Sequence, residues 1–277
     1  MANRLSRRTV AVLILVPLVT ASVLYLFILE PNNLRITNMT LCFEDLPADA
    51  DGLTIAHITD LHLNRIGRRE RRVLAALSSR SPDIIAITGD MVSRIKHAEE
   101  CLDYMSQFEA VIGIWAVQGN WEHYAGWTGD ALRRDLSEIG ISLLIDEGQA
   151  VEVGDSSIWI AGTDDPSLGK DDVRRALEGS GESFIMLLGH SPDVMNRAPG
   201  KVRLILSGHT HGGQVKIPFI GAPWAKRMGG GFLSGLYTRN QTVLYVSNGV
   251  GMSHIPARFI CRPEIEFFTL RSGNRPR

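Results

Sequence analysis

The sequence predicts an α/β domain carried behind one N-terminal transmembrane helix, and three observations support that expectation. Near its start, residues 9–29 hold no charge and are mostly Val, Leu, Ile, Ala and Phe. Further on, short apolar runs recur, several of them closing on a glycine followed by Asp, Asn or His. Between these runs lie stretches whose apolar residues fall three to four apart. Short runs without polar alternation suit strands buried on both faces, and their alternation with helical periods indicates α/β architecture.

The first element is the apolar segment, whose length matches the roughly 20 residues that a helix needs to cross a bilayer. Arg4, Arg7 and Arg8 precede it, while only Glu30 and Arg35 follow closely. The positive-inside rule then gives a single-pass protein of the cell (inner) membrane with its N-terminus in the cytoplasm and its folded domain outside. Ser6-Arg7-Arg8-Thr9-Val10 also resembles a twin-arginine export signal, with Val10 and Ala11 in place of the usual Phe and Leu. A cleaved signal peptide is the alternative, but the long run and the lack of a clear A-x-A site favour a retained anchor. Residues 1–30 are therefore expected to form a cytoplasmic tip and anchor or export signal, 31–51 a linker, and 52–277 the folded domain.

Within that domain, residues 53–59 run into Asp60, 84–89 into Asp90, 114–119 into Asn120, 184–189 into His190, and 202–208 into His209. Helical spacing covers 68–79, 98–108, 130–139 and 170–178. Residues 156–163, 242–247 and 263–270 add strands with fewer helices between them, so a second, more mixed sheet is expected.

Composition narrows the function. Of 277 residues 44% are hydrophobic, which allows a substantial core, and a formal net charge of −1 lacks the basic face that nucleic acid requires. No nucleic-acid partner is expected. Cys42, Cys101 and Cys261 lie far apart and form no CxxC pair, which leaves a zinc ribbon, a redox motif and a disulfide framework without support. No Gly-x-Ser-x-Gly elbow or P-loop is present, so serine-hydrolase and NTPase readings have none either.

The carboxyl ends of strands form the ligand-binding rim of an open α/β sheet, so five runs ending alike should bring their terminal side chains to one place. Two of the endings hold pairs, Asp60-Leu61-His62 and His209-Thr210-His211. In an extended segment residues i and i+2 face one side, so each pair presents two ligands together. Carboxylate, imidazole and carboxamide without thiolate suit divalent Mn, Fe or Zn in a hydrolytic site, and Asp90 is placed to bridge two cations.

These blocks carry a resemblance. Asp60-Leu61-His62, Gly89-Asp90, Gly119-Asn120, Gly189-His190 and Gly208-His209-Thr210-His211 resemble the five signature blocks of the calcineurin-like metallophosphoesterases. The likeness is nearest to the membrane-associated or exported bacterial phosphodiesterase branch. That branch shares the run Ser207-Gly-His-Thr-His-Gly-Gly-Gln-Val215, the tail Tyr245-Val-Ser-Asn-Gly-Val-Gly, Arg258-Phe259 and Cys261-Arg-Pro-Glu-Ile265. The resemblance implies two facing β-sheets flanked by helices in four layers. It also implies two divalent metal ions, with manganese favoured. One would be held by Asp60, His62, Asp90 and His211, and the other by Asp90, Asn120, His190 and His209. A hydroxide bridging the metals would be the nucleophile.

Two positions depart from the family. Its third block usually reads Gly-Asn-His followed by an acid, the His assisting near the leaving group; here it reads Gly119-Asn120-Trp121-Glu122-His123. Its second block usually places an Asp where this chain has Ser93, to orient that His. Three explanations stay open. His123 supplies the imidazole from a shifted loop; the substrate has a good leaving group and needs little acid help; or the protein binds without turnover. Intact ligands in all five blocks weigh against the last. Trp121 is expected at the pocket rim as a substrate contact.

Arg65, Arg68, Arg69, Arg71 and Arg72 crowd the stretch after the first block. A solvated helix face accounts for most of them, and Arg65 is the expected contact to an anionic substrate or lipid headgroup. Residues 212–240 form a long Gly- and Pro-rich connection whose Phe219, Ile220, Trp224, Lys226 and Arg227 suit a membrane interface or a packed surface loop. Asp164 and Asp165 are placed either to orient His190 or another ligand, or in a simple turn.

The expected activity is hydrolysis of a phosphodiester or pyrophosphate bond, in a lipid-linked or nucleotide-containing substrate at the membrane. The alternatives are a UDP-2,3-diacylglucosamine pyrophosphatase of lipid A biosynthesis, which also lacks the third-block His but works in the cytoplasm, and a non-catalytic metal-binding membrane scaffold.

Overall fold

The computed structural model describes residues 6–273. It opens with α1 (Arg7–Leu24), which Ser6 caps by accepting the Thr9 N–H and which continues through a π-helical turn to Leu29. Among the described residues this is the one helix long and apolar enough to cross a membrane, and none of its span is buried in the protein. Arg4, used in the orientation argument, lies outside the described residues.

Two six-stranded sheets make the domain. In the first, β2 (Thr54–Ile58), β3 (Ile84–Thr88), β4 (Gly113–Val117) and the short β5 (Ile141–Leu143) run parallel. In the second, β7 (Ser156–Gly162), β8 (Phe184–Leu188), β9 (Val202–Ser207) and β11 (Thr242–Val246) run parallel. The antiparallel edges of the second sheet are β6 (Glu147–Val153) and β10 (Gly235–Arg239). The last strand, β12 (Glu264–Ser272), joins the first sheet antiparallel to β2.

The apolar runs are long because both faces of each strand are covered. Ile55, Ile84 and Ala86 meet Ile158, Met186 and Leu204 in a core between the sheets. On the outer face of the first sheet Ala56, Ile58, Ile85 and Ile87 pack under α2 (Arg68–Arg80), α3 (Ala98–Met105) and α5 (Gly129–Glu138) through Val73, Leu77, Tyr104 and Leu132. On the outer face of the second, Ile185, Leu187 and Ile205 pack against Val173 and Ala176 of α6 (Val173–Ala176) and against Val194. Alternate side chains of one strand thus enter different cores, giving helix, sheet, sheet, helix.

Three expectations change. The stretch 31–51, read as a linker, holds an edge strand, β1 (Arg35–Phe43), paired in parallel with β12 from Arg35↔Glu264 to Phe43↔Ser272. Its partner lies at the far end of the chain, and its own side chains are half exposed except near Leu41 and Phe43, so no local apolar run marks it. Residues 263–270, expected in the second sheet, run into β12 of the first, between β1 and β2. The helix expected over 170–178 shrinks to the single turn of α6, capped by Asp172 and followed by Gly179 and Gly181 at positive φ. The connection 212–240 contains α7 (Pro223–Met228) as well as β10.

Candidate metal centre

All five parallel strands that carry the blocks deliver them at their carboxyl ends, so the site forms where the two sheets meet. The turns there are forced. Asp60, His62, Asp90, His209 and His211 all have positive φ, between 40° and 67°, a backbone region that costs non-glycine residues energy and tends to be kept at functional sites. Close approach also sets residue choice: a Cβ on Gly208 would come within 2.2 Å of Asp60 Oδ2, and one on Gly119 within 2.4 Å of Asp90 Oδ1.

The seven expected ligands come together. Asp60, His62, Asp90 and His211 are buried, and one ligand atom from each lies within 4.8 Å of the others. His62 Nε2 stands 3.1 Å from His211 Nε2, and His211 Nε2 3.3 Å from Asp60 Oδ1. On the other side His190 Nε2 and His209 Nδ1 lie 3.1 Å apart, and Asn120 Oδ1 is 3.1 Å from the first and 3.0 Å from the second. Asp90 Oδ2 sits between the groups, 3.5 Å from His62 Nε2 and 3.3 Å from His190 Nε2.

Surrounding groups fix the ring nitrogens. The carbonyl oxygen of Thr88 can only accept, so His190 Nδ1, 2.8 Å away, donates to it and leaves Nε2 for the centre. Ser93 Oγ lies 2.8 Å from His62 Nδ1, so the residue that departs from the family orients a ligand here. Buried Glu122 accepts the backbone N–H groups of Asp90, Met91 and Gly119 and ties two ligand loops together. Buried Arg258 donates to the carbonyls of Asn248, Gly249, Gly251 and Cys261, and the Gly251 N–H in turn donates to the Asp60 carbonyl.

Without cations this crowding is electrostatically costly. Burial, reinforced by Asp90, pushes the Asp60 carboxyl up to about 7. Burial alone would raise Asp90, but His190 overrides it and holds Asp90 at about 2. Burial drives His62 and His209 down to about 4. Burial alone would lower His190, but Asp90 overrides it and raises it well above the ordinary imidazole range. Imidazoles and carboxylates crowded this closely suit divalent cations, which would displace that proton and supply the positive charge.

Of the other expected residues, Trp121 and Arg65 line a cavity of about 920 Å³ whose wall also includes His62 and Ser93. The Trp121 ring meets His62 edge-on at 5.6 Å, and its N–H donates to Asp90 Oδ1 through the backbone. His123 is not on that wall. Its Nε2 lies 2.7 Å from Asp164 Oδ1 and 3.3 Å from the Gln118 amide. Asp164 thus bonds His123 rather than a ligand, and Asp165 caps Ser167. Sequence reasoning missed His254, which lines the cavity and meets the Trp121 ring at 5.1 Å, tilted by 59°. Its only signal was a histidine inside the motif-like tail.

Comparison with known proteins agrees with this geometry. The model of the calcineurin-like phosphoesterase family matches residues 53–213, a segment that contains all seven expected ligands. The chain belongs to that family. It is 33% identical over 255 residues to the uncharacterized metallophosphoesterase YkuE of Bacillus subtilis, covering 89% of this chain and 88% of that one. It is 27% identical over 254 residues to phosphodiesterase YaeI of Escherichia coli, covering 89% and 92%. A transmembrane protein with metallophosphoesterase domain from Danio rerio is 30% identical over 269 residues, covering 86% of this chain and 58% of that protein. As a calcineurin-like enzyme the chain is a metal-dependent phosphoesterase with a buried Asp/His metal-binding group.

Proposed function

We propose that this phosphoesterase hydrolyses a phosphodiester or pyrophosphate bond, in a lipid-linked or nucleotide-containing substrate, with two divalent metal ions, manganese favoured. The observation that supports it is the position of Asp90 Oδ2 between His62 Nε2 at 3.5 Å and His190 Nε2 at 3.3 Å, one imidazole from each ligand group. Asp60, His62, Asp90 and His211 would hold one ion, and Asp90, Asn120, His190 and His209 the other. Bound there, such a pair supplies a nucleophile at neutral pH and neutralises charge on the phosphoryl oxygens.

The chain's own residues orient the reaction. Thr88 and Ser93 hold His190 and His62, and Trp121 and Arg65 contact the substrate in the cavity. Protonation of the leaving group is assigned to His123, paired with Asp164. A second reading gives that role to His254, because it lines the cavity and His123 does not. The helix α1 anchors the protein in the inner membrane, with the folded domain that follows it, β1 included, outside the cytoplasm.

The test is Mn-reconstituted full-length protein assayed on a bis-aryl phosphodiester, a phosphomonoester and UDP-2,3-diacylglucosamine, with Asp90→Ala as control. Asp90-dependent turnover of the diester is expected. No Asp90-dependent turnover on any of them would favour a binding scaffold instead. Comparing His123→Ala with His254→Ala decides the acid: the true one loses on the order of 10²-fold or more in kcat with metal content unchanged.

A further inference from the structure

The end of α1 is held against the catalytic domain at several points. The Leu26 carbonyl accepts the Arg258 N–H at 3.0 Å, buried Glu30 accepts the Cys261 N–H at 2.6 Å, and the Tyr25 ring meets Phe259 edge-on at 6.2 Å. The apolar side chains just before this junction, Tyr25, Phe27, Ile28 and Leu29, stay 43–60% exposed. The point where the helix would leave a bilayer is therefore fixed relative to the active site.

Two cavities open at that point. The larger reaches from His62 and Trp121, beside the metal centre, to Phe27, Pro31 and Asn32 at the helix end. The smaller, of about 440 Å³, is lined by Tyr25, Ile28 and Leu29 together with Arg68 and Arg72. Arg68 belongs to both. Arg65 and Arg94 stand on the wall of the larger one.

These four arginines differ from their neighbours. Arg69 is paired with Glu70, which also accepts the Gly67 N–H, and Arg71 donates to the Ile66 carbonyl. The side chains of Arg65, Arg68, Arg72 and Arg94 have neither a hydrogen bond nor an ion pair among the described residues; the carboxylate on the larger cavity's wall, Glu70, is matched by Arg69, and the one on the smaller cavity's wall, Glu30, accepts the Cys261 N–H. Guanidinium groups are planar forks that match phosphate oxygens two at a time. Unpaired cations beside an apolar helix end sit at the depth where lipid phosphates lie.

We propose that Arg65, Arg68, Arg72 and Arg94 form a headgroup site for a phosphate-bearing lipid, which enters sideways from the bilayer. Its acyl chains stay along Tyr25, Ile28 and Leu29 while the phosphate passes along the larger cavity toward His62. This rests on the phosphodiester reading and on α1 spanning the membrane, and it selects the lipid-linked class over a soluble nucleotide.

The test uses the full-length protein in neutral detergent micelles, titrated with phosphatidylglycerol, with its deacylated headgroup glycerophosphoglycerol, and with AMP, bound ligand being counted by native mass spectrometry. Wild type is expected to bind phosphatidylglycerol more tightly than either soluble probe. The double variant Arg68→Gln/Arg72→Gln is expected to lose roughly tenfold in that affinity. Thermal midpoint and metal content report its folding, and Arg134→Gln, an exposed arginine elsewhere, serves as the charge control and should bind as wild type does. Equal affinity in wild type and double variant, an equal loss in Arg134→Gln, or soluble probes binding as tightly as the lipid would each overturn the site. Turnover of the bis-aryl diester by wild type is measured separately. Its absence would remove the phosphodiester reading, whereas the titration decides the lipid site by itself.

Discussion

On the floor of the site, Asp60, His62, Asp90, His190 and His211 are buried, hydrogen-bonded and mostly strained in backbone, whereas on its outer wall Arg65, Arg94 and His254 stand exposed, their side chains without hydrogen bonds among the described residues. The two regions touch through Trp121, which donates its backbone N–H to Asp90 and shows its ring to the cavity. The floor is built from ends of buried strands, so its geometry is set before any ligand arrives, which is what electrostatic preorganisation requires. The wall is built from loops, a helix start and the end of α1, where side chains are free to fit a partner. On the proposed function, the first region would set the reaction type and the second the choice of substrate.

The sharpest way to break this division is at Asp90, which stands between both groups of proposed ligands. Asp90→Asn removes a charge while keeping shape, and is expected to lower kcat on a bis-aryl diester by roughly 10³-fold, the equivalent of several kcal/mol of charge stabilisation. Metal content by elemental analysis should fall with it. Retention of both would mean that the floor does not depend on a shared carboxylate.

Next in size is Arg258. Its guanidinium is wholly buried and bonded to four carbonyl groups of the segment that backs Asp60. Arg258→Met keeps much of the volume but leaves those carbonyls unpaired, and is expected to cost about 3 kcal/mol of stability. A urea midpoint unchanged from wild type would show that the tail segment does not support the floor. Smaller again is Ser93→Ala, which frees His62 Nδ1. Metal affinity should weaken about 10–100-fold, as for other groups that orient a ligand imidazole. An unaltered affinity would return Ser93 to a mere gap in the family pattern.

The same division explains what could be read before the structure. The floor was legible because each ligand follows a buried strand, and a buried strand writes itself as an apolar run. His62, Asp90 and His209 needed only their neighbours in sequence to be recognised. β1 was not legible, since its register is set by β12 more than two hundred residues away. His254 was missed, and the arginines after the first block were noticed without their place beside the end of α1, for a related reason: which distant segments share a cavity is encoded by no local period. Ser93 was noticed as a departure, but its bond to His62 depends on a turn geometry that spacing does not reveal.

The smallest expected effect concerns the layer beneath the floor. His57 on β2 is fully buried; its Nε2 lies 2.8 Å from Thr88 Oγ1 and its Nδ1 3.3 Å from Glu266 Oε2. Burial drives His57 down to about 3, while burial and then Glu264 push Glu266 well above the ordinary carboxylate range. The native state therefore leaves His57 neutral at a pH where the unfolded chain, titrating near 6.5, already holds the proton. The unfolded state binds more protons between these values, so stability falls as pH drops from about 6.5 toward 3. Glu266 acts in the opposite sense, because the native state keeps a proton that the unfolded chain releases above about 4.5. His57→Gln removes the first effect and leaves the second. Relative to wild type, the variant should gain about 1 kcal/mol for each pH unit of acidification below 6.5, a slope set by one proton. Denaturant midpoints taken between pH 6.5 and 4.5 measure it, and acid loss of metal or of other carboxylates cancels between the two chains. Parallel curves would mean that His57 takes up its proton in the native state, and that the layer under the floor is as open to water as the wall.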